Sequence, residues 1–75
     1  MASLGMNELL DLLERATGRR VGPDDELLDA GILDSLGLLT LLEALEDRGV
    51  ELHPASLPRQ ALSTARRILA EIERA

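Results

Sequence analysis

Six leucines crowd the ten residues from Leu36 to Leu45, in a stretch bounded by two glycines: GILDSLGLLTLLEALEDRG, Gly31 to Gly49. So much leucine, with Thr40 the one β-branched residue among the ten, favours a helix over a strand. The spacing predicts a helix from Ser35 or Leu36 to Arg48, stopped by Gly49. Leu38, Leu39, Leu41, Leu42 and Leu45 cover a wide arc and call for burial on more than one side. Gly37, Thr40, Glu43, Ala44 and Asp47 fall on the opposite arc, where exposure is expected.

The rest of the chain must supply the cover for that helix, and it contains no Phe, Tyr or Trp. The core is therefore aliphatic, which suits helices packed closely together. At 75 residues the chain is one domain, of a size that hides only about 60% of its unfolded surface. With no cysteine and a single histidine, His53, it has no disulfides or thiolate zinc site, and His53 cannot hold a metal alone. His53 precedes a proline and is expected on a surface or partly buried loop. No apolar run reaches the roughly 18 residues of a membrane span, and MASLGMNELL lacks the features of a signal peptide. A soluble cytoplasmic monomer is expected. Residues 1–5 are expected to be a flexible leader, and 6–75 a single domain.

A first helix is predicted from Met6 to Thr17, with Asn7 as N-cap, Gly18 as stop, and Met6, Leu9, Leu10, Leu13 and Ala16 as the apolar stripe. Gly18 to Asp34 cannot continue it, because Gly22-Pro23 breaks any helix. Val21, Leu27, Leu28, Ile32 and Leu33 nevertheless predict an ordered loop pinned over the core, with a short turn at Asp25 to Asp29. A structureless connection of that length usually has a functional reason. Beyond Gly49, Val50 and Leu52 anchor an extended connector. Pro58 limits Pro54–Leu62 to one short helix. Ser63 or Thr64 caps a last helix that buries Ala65, Ile68, Leu69 and Ile72. The expected fold is all-α: a small antiparallel bundle of three main helices plus one short helix, with a long ordered loop between helices one and two.

Net charge is −6, which argues against nucleic acid and against an anionic membrane as partners. The excess is local. From Asp24 to Glu51 there are nine acids and one base, Arg48, while the remainder carries seven arginines against five acids. Such a segment is either an ordinary solvated surface or a docking face for a basic partner. Ser35 lies within it. Serine is a favoured N-cap, worth about 1 kcal/mol over alanine, so capping alone accounts for Asp-Ser before a leucine-rich helix. Asp34 serves equally as a second capping carboxylate. Nothing in the sequence resembles a nucleophile triad, a glycine-rich phosphate loop or a glycosidase carboxylate pair. No enzyme activity is expected.

Asp34-Ser35-Leu36, placed after a long loop at the start of an acidic helix, resembles the acyl carrier protein family. The wider string DELLDAGILDSLG is similar to stand-alone carriers that load amino acids, such as D-alanyl carrier proteins. ALED and VEL downstream extend the likeness over nearly the whole chain. The resemblance implies that Ser35 is esterified by 4'-phosphopantetheine, delivered from coenzyme A by a separate phosphopantetheinyl transferase. The arm's thiol then carries an aminoacyl or short acyl thioester between an adenylating or acyl-loading enzyme and downstream acyl- or aminoacyl-transferring enzymes. The transferase does the chemistry, so Ser35 needs no neighbouring base. A helix N-terminus also suits the anionic phosphodiester. Asp34, Leu36, Thr40, Glu43, Glu46 and Asp47 become the partner-recognition residues, Leu36 being either an apolar contact beside the serine or a core leucine. Carriers of fatty acid synthesis typically have acids where this chain has Gly37 and Thr40. That departure, together with the arginine-only basic complement of a GC-rich bacterial genome, points to specialised metabolism. The competing expectation is a small acidic helical protein–protein interaction domain in which Ser35 only caps a helix.

Overall fold

The computed structural model describes residues 4–74. Three α-helices, α1 (Met6–Thr17), α2 (Ser35–Asp47) and α3 (Ala65–Arg74), are joined by the long first loop and by two short 3-10 turns, Pro54–Ser56 and Arg59–Leu62. The described residues contain no strand. α1 is the hub, packing against both α2 and α3. The apolar stripe on α1 is consequently wider than the sequence predicts. Leu12 is buried along with Leu9 and Leu13, while Leu10 is only half-buried.

α1 begins on Gly5, not on Asn7, which lies inside the first turn. Leu4 is buried in the core and fixes the chain just before the helix. The Glu8 carboxylate then accepts the Gly5 N–H at 3.4 Å, the return half of a capping box. Leu4 and Gly5, placed by the sequence in a leader, thus belong to the folded body; residues 1–3 lie outside the described residues. Gly18 takes a left-handed conformation (φ 74°) and returns its N–H to Glu14 O at 2.8 Å, ending α1 where expected.

The long loop is pinned as its apolar residues predict. Leu27 is fully buried, and Val21 and Leu33 nearly so. Leu27 N–H donates to Ser63 O at 2.8 Å, and Leu27 O accepts from Ile32 and Leu33 at 2.9 Å each. The loop turns twice, at Pro23–Asp24 and at Leu28–Gly31, on either side of the start of the predicted Asp25–Asp29 turn. The acids there organise the backbone on either side: Asp25 accepts Gly22 N–H at 2.7 Å, and Glu26 accepts Leu28 and Asp29 N–H at 2.8 and 3.0 Å. Arg66 staples the loop to α3. Its N–H donates to Pro23 O at 2.9 Å, and its guanidinium grips both Asp24 oxygens at 2.7 and 3.1 Å.

Pro58 divides its segment into two single 3-10 turns where one short helix was expected. Thr64 is the residue that caps α3, its hydroxyl accepting Arg67 N–H at 3.2 Å. The Ser63 hydroxyl instead donates to Gln60 O. Leu9, Leu12, Leu13, Leu27, Leu41, Leu45 and Ile68 are the large, fully buried side chains, each worth about 1.5–3 kcal/mol of burial. No polar or charged side chain is buried among the described residues. Any chemistry this fold performs is therefore performed at its surface.

Candidate attachment site and docking face

The start of α2 divides capping from exposure between two adjacent residues. Asp34 is the N-cap, its carboxylate accepting Gly37 N–H at 2.7 Å. Ser35 is the first helical residue, not the cap that the sequence suggested. With the cap position filled by Asp34, the Ser35 hydroxyl has no capping task. It is exposed and has no hydrogen-bond partner among the described residues. The first N–H groups of the helix lie beside it, an environment that favours an anion.

One face of α2 is set by Gly37, Leu41 and Leu45, four residues apart and all buried. Gly37 was expected on the exposed arc. It is buried because α2 meets the end of α1 there: a Cβ on Gly37 would lie 3.5 Å from Ala16 O and 3.4 Å from Leu33 Cδ1. Ala44 is half-buried for the same reason of position. The opposite face carries Leu36, 72% exposed, and Leu39, 54% exposed, together with exposed Thr40, Glu43, Glu46 and Asp47. The predicted recognition residues on the helix thus share one solvent-facing stripe. Leu39, expected inside, joins them, because it points about 160° away from the Leu41 direction at 100° per residue. Leu38 and Leu42 are half-buried at the margins.

Beside Ser35 lies a cleft of ≈ 350 Å³ lined by Leu28, Leu33, Asp34, Ser35, Leu38 and Arg59. Arg59 was not singled out by the sequence. It comes from the second 3-10 turn, and only the fold brings it near Ser35. Its guanidinium donates to Asp29 Oδ1 at 3.3 Å, with both side chains largely in solvent. The other described serines are placed differently. Ser63 is half-buried and spends its hydroxyl on Gln60 O, and Ser56 sits in a 3-10 turn of three residues. His53 is exposed, 3.4 Å from Glu51. Among the described residues no group of three or more His, Cys, Asp or Glu is placed to hold a metal, and no helix is long and apolar enough to cross a membrane.

The fold and site define a small helical bundle that offers an unengaged serine at the head of an acidic helix. The family model described as phosphopantetheine attachment site matches residues 3–72, nearly the whole chain, and the chain belongs to that family of acyl and peptidyl carriers. Its cofactor is 4'-phosphopantetheine, held covalently on a serine. The site fits such a group: it has a reachable hydroxyl, helix N–H groups beside it, and a cleft alongside. A search of curated proteins finds no match to the chain.

Proposed function

We propose that Ser35 is the serine that bears 4'-phosphopantetheine, and that the chain shuttles an aminoacyl or short acyl group between enzymes of a specialised-metabolite pathway. The observation that carries this reading is the split at the head of α2. Asp34 holds the cap, leaving Ser35 exposed on a rigid element with its hydroxyl unengaged. When bound, the group supplies a thiol on a flexible arm, which keeps a carbonyl activated as a thioester. The chain's own residues present Ser35 to the transferase, favour the phosphodiester's charge through the first turn of α2, and offer partners a face to bind. A tethered cargo reaches each docked enzyme at high effective concentration.

In this reading Asp34, Leu36, Thr40, Glu43, Glu46 and Asp47 form the recognition face, with Leu39 added by its exposure. Apolar Leu36 and Leu39 lie among acids, a pattern that suits transient docking of a partner with Arg or Lys around an apolar contact. The partners are a phosphopantetheinyl transferase, an adenylating or acyl-loading enzyme, and enzymes that take the acyl or aminoacyl group onward.

Incubation with coenzyme A and a promiscuous phosphopantetheinyl transferase, followed by intact-mass measurement, tests the attachment. The expected result is one added phosphopantetheinyl group, absent from Ser35→Ala. No mass gain, or a gain that survives Ser35→Ala, defeats the reading and leaves an acidic interaction domain in its place. Loading assays with candidate adenylating enzymes then test the cargo class.

A further inference from the structure

Arg59 stands out once the acidic segment is folded. It is the one cation lining the cleft beside Ser35, yet its contact is with Asp29, which does not line that cleft. That pair is weak by its own geometry: a single 3.3 Å contact, with side chains 68% and 81% exposed. Exposed pairs of this kind contribute little and are readily exchanged. Arg59 also lines the neighbouring depression of ≈ 540 Å³ with Glu26, Asp29 and Arg67. It therefore stands between two openings, one containing Asp29 and the other Ser35.

We propose that Arg59 is a positioning residue for the arm, exchanging Asp29 for the phosphodiester once Ser35 is modified. The inference rests on Ser35 being the attachment point. A phosphodiester on the Ser35 oxygen places a permanent negative charge at the cleft where Arg59 is the lone cation. Asp34, the carboxylate that lines the cleft, spends Oδ1 on its capping bond to Gly37 N–H and makes no ion pair with Arg59, whose partner is Asp29. Guanidinium matches phosphate oxygens with two parallel N–H bonds, a better arrangement than its single contact to Asp29. Leu28, Leu33 and Leu38 provide an apolar wall along which the base of the arm lies. Modification thereby fixes the root of the arm and releases Asp29 from its tie to the second 3-10 turn. A carboxylate on the cargo is the competing anion for Arg59. The phosphodiester is favoured because it is bonded directly to a residue of the cleft, whereas cargo sits at the far end of a flexible arm.

The test compares apo and holo protein, without cargo, in wild type, Arg59→Gln and Asp29→Asn, with modification driven to completion by intact mass. The readouts are the Arg59 Nε–Hε resonance, the Asp29 and Ala30 amide resonances, and the phosphorus resonance of the arm. On going from apo to holo, the Arg59 and Asp29 signals should move in the wild type. The holo phosphorus line should shift in Arg59→Gln and stay at the wild-type position in Asp29→Asn. The wild-type displacement should shrink from about 0.1 M to about 1 M salt, as the screening length falls from about 10 Å to about 3 Å. Unmoved Arg59 signals in holo protein, with a phosphorus line indifferent to Arg59→Gln, overturn the proposal while leaving Ser35 modified. Arg59 signals that move only after an anionic acyl group is loaded overturn it in favour of cargo binding. No mass gain at Ser35 overturns both this proposal and the reading beneath it.

Discussion

Leu41 and Leu36 lie on the same helix, are the same residue, and have opposite surroundings. Leu41 and Leu45 have no exposed surface, while Leu36 and Leu39 are 72% and 54% exposed. Both pairs are leucines at helical spacing, so composition does not separate them. The difference comes from where α1 touches α2, and that is set by Gly37. A glycine on the line of Leu41 and Leu45 lets the α1 backbone at Ala16 come close. The face so defined is structural, and the leucines on the other side are left for something else. An exposed leucine on its own is unremarkable. Two of them beside an unengaged serine and among acids form an exposed apolar patch that the fold does not need.

The comparison breaks most easily from the inside. Leu41→Ala should lower unfolding free energy by about 2–5 kcal/mol, read as a fall in urea midpoint with an unchanged slope. Leu39→Ala is its control, and should change stability by less than about 0.5 kcal/mol. Equal losses in the two variants would abolish the distinction between the faces. Next in size, Gly37→Leu should cost about 1–3 kcal/mol, because its side chain meets the Ala16 carbonyl and Leu33. A neutral result would mean that α1 and α2 are not in close contact there. Asp34→Ala should then cost about 1 kcal/mol through the lost cap, and Ser35→Ala clearly less. The reverse order would restore Ser35 as the cap.

Smaller effects belong to the surface. Hydrogen bonds from Arg66 hold the Asp24 carboxyl below its ordinary range; slight burial opposes them and the guanidinium charge adds to them. Since the folded state lowers this pKa, the contribution is present above the ordinary Asp value and fades as pH falls below about 4. Asp24→Asn should flatten that part of the acid stability curve, measured by thermal unfolding against pH. It should also hasten amide exchange around Pro23–Leu27. On the proposed docking face, Glu43→Lys with Asp47→Lys should slow enzymatic loading while leaving helix content unchanged. Loading at the wild-type rate would count against the recognition role of those acids.

Much of the fold can be read from local signals. Gly18 and Gly49 stop helices because each adopts a positive φ, and the apolar residues of the long loop are the ones that pin it. What could not be read depends on contacts distant in sequence. Leu39 was expected inside because six leucines suggested burial on several sides; the approach of α1 at Gly37 limits the fully buried face to Gly37, Leu41 and Leu45. The rule that ranks Asp and Ser as near-equal caps could not choose between Asp34 and Ser35; the Gly37 N–H bond did. Asn7 lost the cap to Gly5 because Leu4 is anchored in the core. Arg59 carried no sequence signal at all, since its place beside Ser35 exists only once the second 3-10 turn folds against the loop.

The central claim is that α2 presents Ser35, and no other serine, for modification. Proteolysis of the protein after reaction with coenzyme A and transferase, with fragment-ion mass measurement, locates the added group directly. The account predicts phosphopantetheine on the peptide containing Asp34-Ser35-Leu36, with fragment ions assigning it to Ser35. A group found on Ser56 or Ser63, or an unmodified Ser35 peptide at full conversion, would contradict it.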